Sequence, residues 1–142
     1  MLVNEIMNNS VISVAPDESV AYTSRLLYRH NIGSVPVCTS DGTLKGIVTD
    51  RDIVLRVVAT DNDPHSTPVS DIMSHSVITV EPDADVKRVS RLMSVSQVRR
   101  LPVVNDGKVV GMVSLGDLAQ SKCCDMEASE ALSEISMNVK RK

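Results

Sequence analysis

Aromatic residues are almost missing from this chain. It has two tyrosines, Tyr22 and Tyr28, and no phenylalanine or tryptophan. Platforms that stack nucleic-acid bases cannot be built from that inventory, and any core must be aliphatic. Cysteine is scarce too. Three residues are too few for a disulfide framework, and the number is odd. Cys38 ends the apolar run Val35–Cys38 and reads as a small buried hydrophobe. Cys123 and Cys124 are adjacent, a spacing that would strain a disulfide, so all three read as reduced, non-catalytic thiols. The six glycines, at 33, 42, 46, 107, 111 and 116, form neither G-x-G-x-x-G nor a P-loop, and no G-x-S-x-G elbow is present. His30, His65 and His75 are scattered without metal-ligand spacing, and His30 falls where a helix end would use it as a cap. No apolar run approaches the roughly 20 residues of a membrane helix. The opening MLVNEIMNNS has an acid and no basic stretch, so it does not read as a secretory signal, and a cytoplasmic location is expected. A net charge of −3 and a pI near 5.5 argue against general nucleic-acid binding. What remains is a 142-residue chain, 42% hydrophobic and 23% charged, the composition of one soluble globular domain.

The most informative feature is an internal duplication. Residues 3–38 align with 69–104 with fifteen identities, among them Ile6-Met7, Val11-Ile12, Val14, Pro16-Asp17 and Pro36-Val37 against their partners. One residue then drops out of a turn. Residues 41–53 align with 106–118 with five more, Asp41, Gly42, Gly46, Val48 and Asp52. We divide the chain into a first repeat over 3–58, a linker over 59–68 rich in Asp, Asn and Pro, a second repeat over 69–120, and a tail over 121–142.

Each repeat has one grammar. A helical turn, Asn4–Met7 or Ser70–Met73, leads into a β-rich stretch, Val11–Val14 or Val77–Val80. Pro16-Asp17-Glu18 or Pro82-Asp83-Ala84 then opens an amphipathic helix, on which Val86, Val89 and Met93 fall at i, i+3 and i+7. A hairpin follows: Ser34–Cys38 with Leu44–Thr49, or Arg100–Val104 with Val109–Ser114, turning at Asp-Gly. A second helix, Asp50–Val58 or Leu115–Ala119, closes the unit. The pattern is βαββα in an α/β chain of the α+β type. A unit of about 50 residues buries too little surface to stand comfortably alone. The expectation is therefore two repeats packed about a pseudo-two-fold axis. Leu132, Ile135 and Val139 are spaced for a C-terminal helix whose basic end, Lys140–Lys142, suits the helix dipole.

Two features carry chemistry. Each repeat runs from a strand into Thr/Ser-x-x-Asp: Thr49-Asp50-Arg51-Asp52 and Ser114-Leu115-Gly116-Asp117. The plain reading is a capping box. The sharper one is a nucleoside-phosphate site, with amides and hydroxyl facing phosphate and the acid accepting from ribose hydroxyls. The second feature is Val98-Arg99-Arg100-Leu101-Pro102-Val103, whose counterpart is Ile32-Gly33-Ser34-Val35-Pro36-Val37. A proline within a strand removes a ladder donor, so main-chain groups beside Pro36 and Pro102 are open to a base edge. Arg99 and Arg100 can clamp phosphate oxygens, or stand as surface charges.

Over residues 3–120 the chain resembles a tandem pair of CBS domains, also called a Bateman module. The likeness rests on the repeated Ile-Met, the Val-Ile-Ser/Thr-Val stretch followed by Pro-Asp, the Val/Leu-Pro-Val hairpin, and Gly-Ile-Val-Thr-Asp-Arg-Asp-Ile with Gly-Met-Val-Ser-Leu-Gly-Asp-Leu. Small stand-alone bacterial proteins of this kind are the nearest likeness. The resemblance implies a regulatory module, not an enzyme, that senses AMP, ADP, ATP, S-adenosylmethionine or NAD in clefts between the repeats. Energy sensing is among such roles. No cofactor is required. A homodimer acting on an effector protein is expected, with neither membrane nor nucleic acid as partner. By the same resemblance, Asp52 and Asp117 hold ribose, Thr49 and Ser114 face phosphate with Arg51 in the same loop, and Arg99 and Arg100 contact phosphate. Ser13, Val14, Thr79 and Val80, with Val35, Pro36, Leu101 and Pro102, hold the base. The two repeats differ at Gly33-Ser34 against Arg99-Arg100 and at Arg51 against Gly116, so equivalent sites are not expected. The alternative is a ligand-free dimerising scaffold that acts through a protein partner.

Overall fold

The computed structural model describes residues 1–121 and 129–136, which form two compact units. The first unit is Ile12–Val77. The second joins Met1–Val11 to the described residues from Ile78 on. Cys123, Cys124, Val139 and the basic end at 140–142 lie outside the described residues.

The first unit contains α1 (Val20–His30), β1 (Ser34–Cys38), β2 (Leu44–Thr49) and α2 (Asp50–Ile53), which continues as a π-helical turn over Val54–Val58. Ser19 caps α1, its hydroxyl accepting from the Tyr22 N–H at 3.1 Å. Asn31 ends the helix in the left-handed region at φ 52°. The second unit repeats this with α3 (Val86–Ser96), β3 (Arg100–Asn105), β4 (Lys108–Ser114) and α4 (Leu115–Gln120). Here Asp85 caps α3 by accepting from the Lys87 N–H at 2.8 Å, and Gln97 ends it at φ 57°. A further helix, α5, spans 129–136 and packs Ala131 and Ile135 inward.

Each hairpin is a two-stranded antiparallel sheet. The second turns in two residues, Asp106 and Gly107, with φ 54° and 78°. That combination defines the tight turn whose twist matches the strands. The first hairpin carries the extra residue of the alignment and closes through the Thr43 carbonyl, which accepts from Thr39 N–H at 3.0 Å. Gly107 is surrounded by open space, so only backbone strain opposes a side chain there. Gly107→Ala is expected to cost about 1 kcal/mol, measured by urea unfolding.

The compact units cut across the sequence repeats. The opening turn of the chain, Val3–Glu5, packs on the second unit: Val3 N–H donates to the Ala84 carbonyl at 2.9 Å, and the Val3 side chain is fully enclosed in that core. Its repeat, Val69–Asp71, packs on the first unit in the same way, with Val69 N–H on the Glu18 carbonyl at 2.8 Å. Burying each valine contributes about 1.5–3 kcal/mol. The linker also joins the first unit, since Pro64 and Thr67 carbonyls accept from Ala21 and Val20 N–H at 2.8 and 2.9 Å.

Val11–Val14 and Val77–Val80 are not full strands. Val14 makes a single parallel bridge to Val37, and Val80 one to Val103. Val14 N–H donates to the Pro36 carbonyl at 3.1 Å, and Val80 N–H to that of Pro102 at 3.1 Å. The next rung would need an N–H from Pro36 or Pro102 to reach the carbonyl of Ile12 or Ile78. Proline has none, so the ladder stops after one rung.

Candidate functional site

Both Thr/Ser-x-x-Asp motifs fold as capping boxes. Thr49 Oγ1 accepts from the Asp52 N–H at 3.0 Å, and Asp52 Oδ2 accepts from the Thr49 N–H at 3.0 Å. Ser114 and Asp117 repeat this at 3.1 and 2.8 Å. The reciprocal bonds fix each carboxylate against the strand end. The two acids differ in their remaining company. Asp52 Oδ1 lies 4.0 Å from the Arg56 guanidinium, which also donates to the Ile72 carbonyl at 2.8 Å. The position matching Arg56 is Ser121 in the second unit, and Asp117 instead lines a cavity of about 390 Å³ with Met1, Ile6, Gln120 and Ser121.

A cavity of about 670 Å³ in the second unit has the chemistry expected for phosphate. Arg99 and Arg100 lie at its rim beside Ser114, and the remaining wall comes from Leu115, Gly116, Ala119, and Ser129 and Leu132 of α5. Among the described residues, no acidic side chain lines it. The β3–β4 pairing sets Arg100 opposite Ser114, and the Leu115 N–H donates to the Arg99 carbonyl at 2.8 Å, so hairpin and α4 hold both arginines over the start of the helix. The structure thus joins Arg99, Arg100 and Ser114 in one cavity, while Asp117 lines another. The contribution of α5 was not legible beforehand. The spacing of Leu132 and Ile135 indicates a helix, but not that Leu132 faces a pocket while Ile135 packs inward.

The other expected site residues lie on or next to the hairpin of their own unit. Val14, Val35, Val80 and Leu101 are buried, with their side chains taken up by the two cores. The main-chain groups expected to be open beside Pro36 and Pro102 are engaged by the bridges: the proline carbonyls accept from Val14 and Val80 N–H, and the Val14 and Val80 carbonyls accept from Cys38 and Val104 N–H at 2.9 and 2.8 Å. Pro36 and Pro102 are also buried, whereas Ser13 and Thr79 are exposed beside the bridges. Arg51 is exposed on the first turn of α2, next to Asp50, whose Oδ1 accepts from the Arg51 N–H at 2.8 Å.

Cys38 lies beside Ser13. Burial pushes its thiol above the ordinary value, and a smaller opposing effect comes from a hydrogen bond with Ser13. The thiolate, the reactive form, is therefore suppressed. Iodoacetamide is expected to modify Cys38 at least roughly tenfold more slowly in the native protein than in urea, read by peptide mass spectrometry. Because the folded thiol holds its proton more tightly, its contribution to stability is present at neutral pH. It is lost as pH rises through the alkaline range where the unfolded thiol ionises first.

Comparison with known proteins accords with this geometry. The family model for the CBS domain matches residues 3–59 and again 69–122. The chain belongs to the CBS-domain family. It is 40% identical over 134 residues to CBS domain-containing protein YhcV of Bacillus subtilis, covering 94% of each chain. Among solved structures, it is similar to Hypoxic Response Protein I with two coordinated zinc ions, at TM-score 0.78 and 31% identity, covering 84% of this chain and 98% of that one. It is also similar to the CBS domain pair of protein MJ0100 in complex with 5′-methylthioadenosine and S-adenosyl-L-methionine, at TM-score 0.75 and 30% identity, covering 84% and 94%. Among the described residues of this CBS pair, no three His, Cys, Asp or Glu side chains cluster as a metal site, and no helix is long and apolar enough to cross a membrane.

Proposed function

We propose that this CBS pair is a regulatory sensor that binds an adenosine-containing ligand and does not catalyse a reaction. The observation that carries the reading is the 670 Å³ cavity with Arg99 and Arg100 beside Ser114. Two guanidiniums and a hydroxyl suit a phosphate group. The adenosine part is argued from the likeness to the MJ0100 pair, whose complex holds two adenosine compounds. Asp117 and Asp52 are assigned to ribose, and the main chain around Thr79–Val80 and Ser13–Val14 to the base. AMP, ADP, ATP, S-adenosylmethionine and NAD are the candidate ligands. The signal passes from a cytoplasmic homodimer to an effector protein.

The test is thermal unfolding of the purified protein against those five compounds, with native mass spectrometry alongside. A ligand that binds only the folded state at about 100 times its Kd adds about 2.7 kcal/mol, which raises the midpoint by several degrees. One compound is expected to produce that shift. Indifference to all five, in protein carrying no co-purified ligand, would sink the sensor reading. One observation favours a scaffold instead: both capping boxes are complete, and Asp52 has Arg56 beside it as well. On that reading the acids serve the fold alone, and the dimer acts through a protein partner without a small ligand.

A further inference from the structure

We infer that the two units are specialised by charge: the second accepts a phosphate-bearing ligand, and Asp50 makes the matching position of the first unit refuse one. The inference rests on the reading of the Arg99–Arg100 cavity as a phosphate site and adds which class of ligand each unit takes.

The two positions are structurally equivalent. Asp50 N–H donates to the Gly33 carbonyl at 3.0 Å, as Leu115 N–H donates to that of Arg99 at 2.8 Å. Ser34 pairs with Thr49 across the first hairpin, as Arg100 pairs with Ser114 across the second. With the backbone fixed, the side chains decide. In the second unit the four places are Arg99, Arg100, Leu115 and Gly116, two positive charges and no negative one. In the first they are Gly33, Ser34, Asp50 and Arg51, whose charges cancel. Asp50 stands over the space that the missing side chain would fill: its Oδ2 lies 3.4 Å from where a Cβ on Gly33 would be. An anion entering there loses both guanidiniums of the second unit and meets a carboxylate that offsets the one positive charge, Arg51. Like charges at such range oppose each other, whereas charge-assisted bonds to arginine attract. The first unit therefore suits a ligand without phosphate, neutral or cationic.

Inorganic tripolyphosphate separates this inference from the adenosine reading. It would be titrated into the full-length ¹⁵N-labelled chain at moderate salt. Amide shifts are expected at Arg99, Arg100 and Ser114–Gly116, with affinity at least roughly tenfold weaker at residues 33–34 and 49–51. The double variant Gly33→Arg, Asp50→Leu should gain a second set of shifts at those residues. The Gly33 backbone is not in the left-handed region, so an arginine fits it. Asp50→Asn, at an exposed position, gives a milder variant that keeps the bond to the Arg51 N–H and should tighten the first unit's weak binding. Equal binding in both units of the native chain, no binding at residues 99–116, or an unchanged first unit in both variants would each overturn the inference. Tripolyphosphate bound at 99–116 with all five adenosine compounds inert would instead sink the proposed function and leave the charge division standing.

Discussion

Asp117→Ala is expected to weaken binding of the adenosine ligand by roughly 1.5–3 kcal/mol, the range for hydrogen bonds to a charged group. It should also lower stability by about 1 kcal/mol through loss of the cap. The two effects have different sources. Stability falls because Asp117 Oδ2 no longer accepts from the Ser114 N–H at 2.8 Å. Affinity falls because the capping bond holds the carboxylate in place at the cavity that Asp117 lines with Met1 and Ile6. An acceptor already fixed loses little freedom when a ribose diol binds it. Asp117→Asn separates the two, since the amide oxygen can still accept from Ser114 while the negative charge is gone. It should keep most of the stability and lose most of the affinity. Calorimetric titration with the ligand identified by thermal shift, together with urea unfolding, reads both. Unchanged affinity in Asp117→Ala beside the expected loss of stability would remove Asp117 from the site and leave it a cap. Asp52→Ala is the matching variant in the first unit, where the acid also faces Arg56, and unchanged affinity in both variants would sink the ribose assignment.

Most of the architecture is written in local patterns. The Asp-Gly turns, the spacing of Val86, Val89 and Met93, and the apolar runs around Pro36 and Pro102 specify hairpins and helices through short-range physics, and the structure has them where they are expected. The capping boxes are legible for the same reason, because Thr49 and Asp52, or Ser114 and Asp117, are three residues apart and meet whatever the rest of the chain does. What was not legible is long-range. Nothing in Val3–Glu5 says that it packs beside Ala84 and not on its own repeat, because Val3 and Val69 are the same residue in the same context, and only connectivity separates them. The shortened strands at Val14 and Val80 follow from the prolines on their neighbours, a consequence visible only once the pairing partners are known. The site shows the same division. Arg99, Arg100 and Ser114 meet through hairpin register, which the turn fixes, whereas Ser129 and Leu132 reach the cavity through the packing of α5, which no local signal specifies.

The exchange of opening segments makes the largest predicted demand on a single position. Gly46 on β2 is buried, and Ile47 beside it bonds Ser74 in both directions, Ile47 N–H to the Ser74 carbonyl at 3.0 Å and Ser74 N–H to the Ile47 carbonyl at 2.9 Å. A Cβ on Gly46 would lie 2.7 Å from that Ser74 carbonyl oxygen and 2.7 Å from Met73 Sδ. The sulfur can swing aside, but the carbonyl is held by the very bonds that dock the segment. Gly46→Ala must therefore stretch the bridge, and a loss of about 2–3 kcal/mol is expected, as for an overpacked core. At this chain length that lowers the midpoint by roughly 5–10 °C. Gly111 is the counterpart on β4, where the severe contact is with the flexible Met7 Sδ at 2.5 Å and the Asn8 carbonyl stands farther off at 3.1 Å. Gly111→Ala should cost less, about 1–2 kcal/mol, and adding Met7→Ala should recover part of it. No such rescue is open to Gly46, because its obstacle is backbone. Thermal and urea unfolding of the three alanine variants should rank Gly46 first, Gly111 second and Gly107 third. If Gly46→Ala proved no worse than Gly107→Ala, where strain acts without any contact, the close docking of residues 73–74 on β2 would be wrong, and with it the assignment of the second repeat's opening to the first unit.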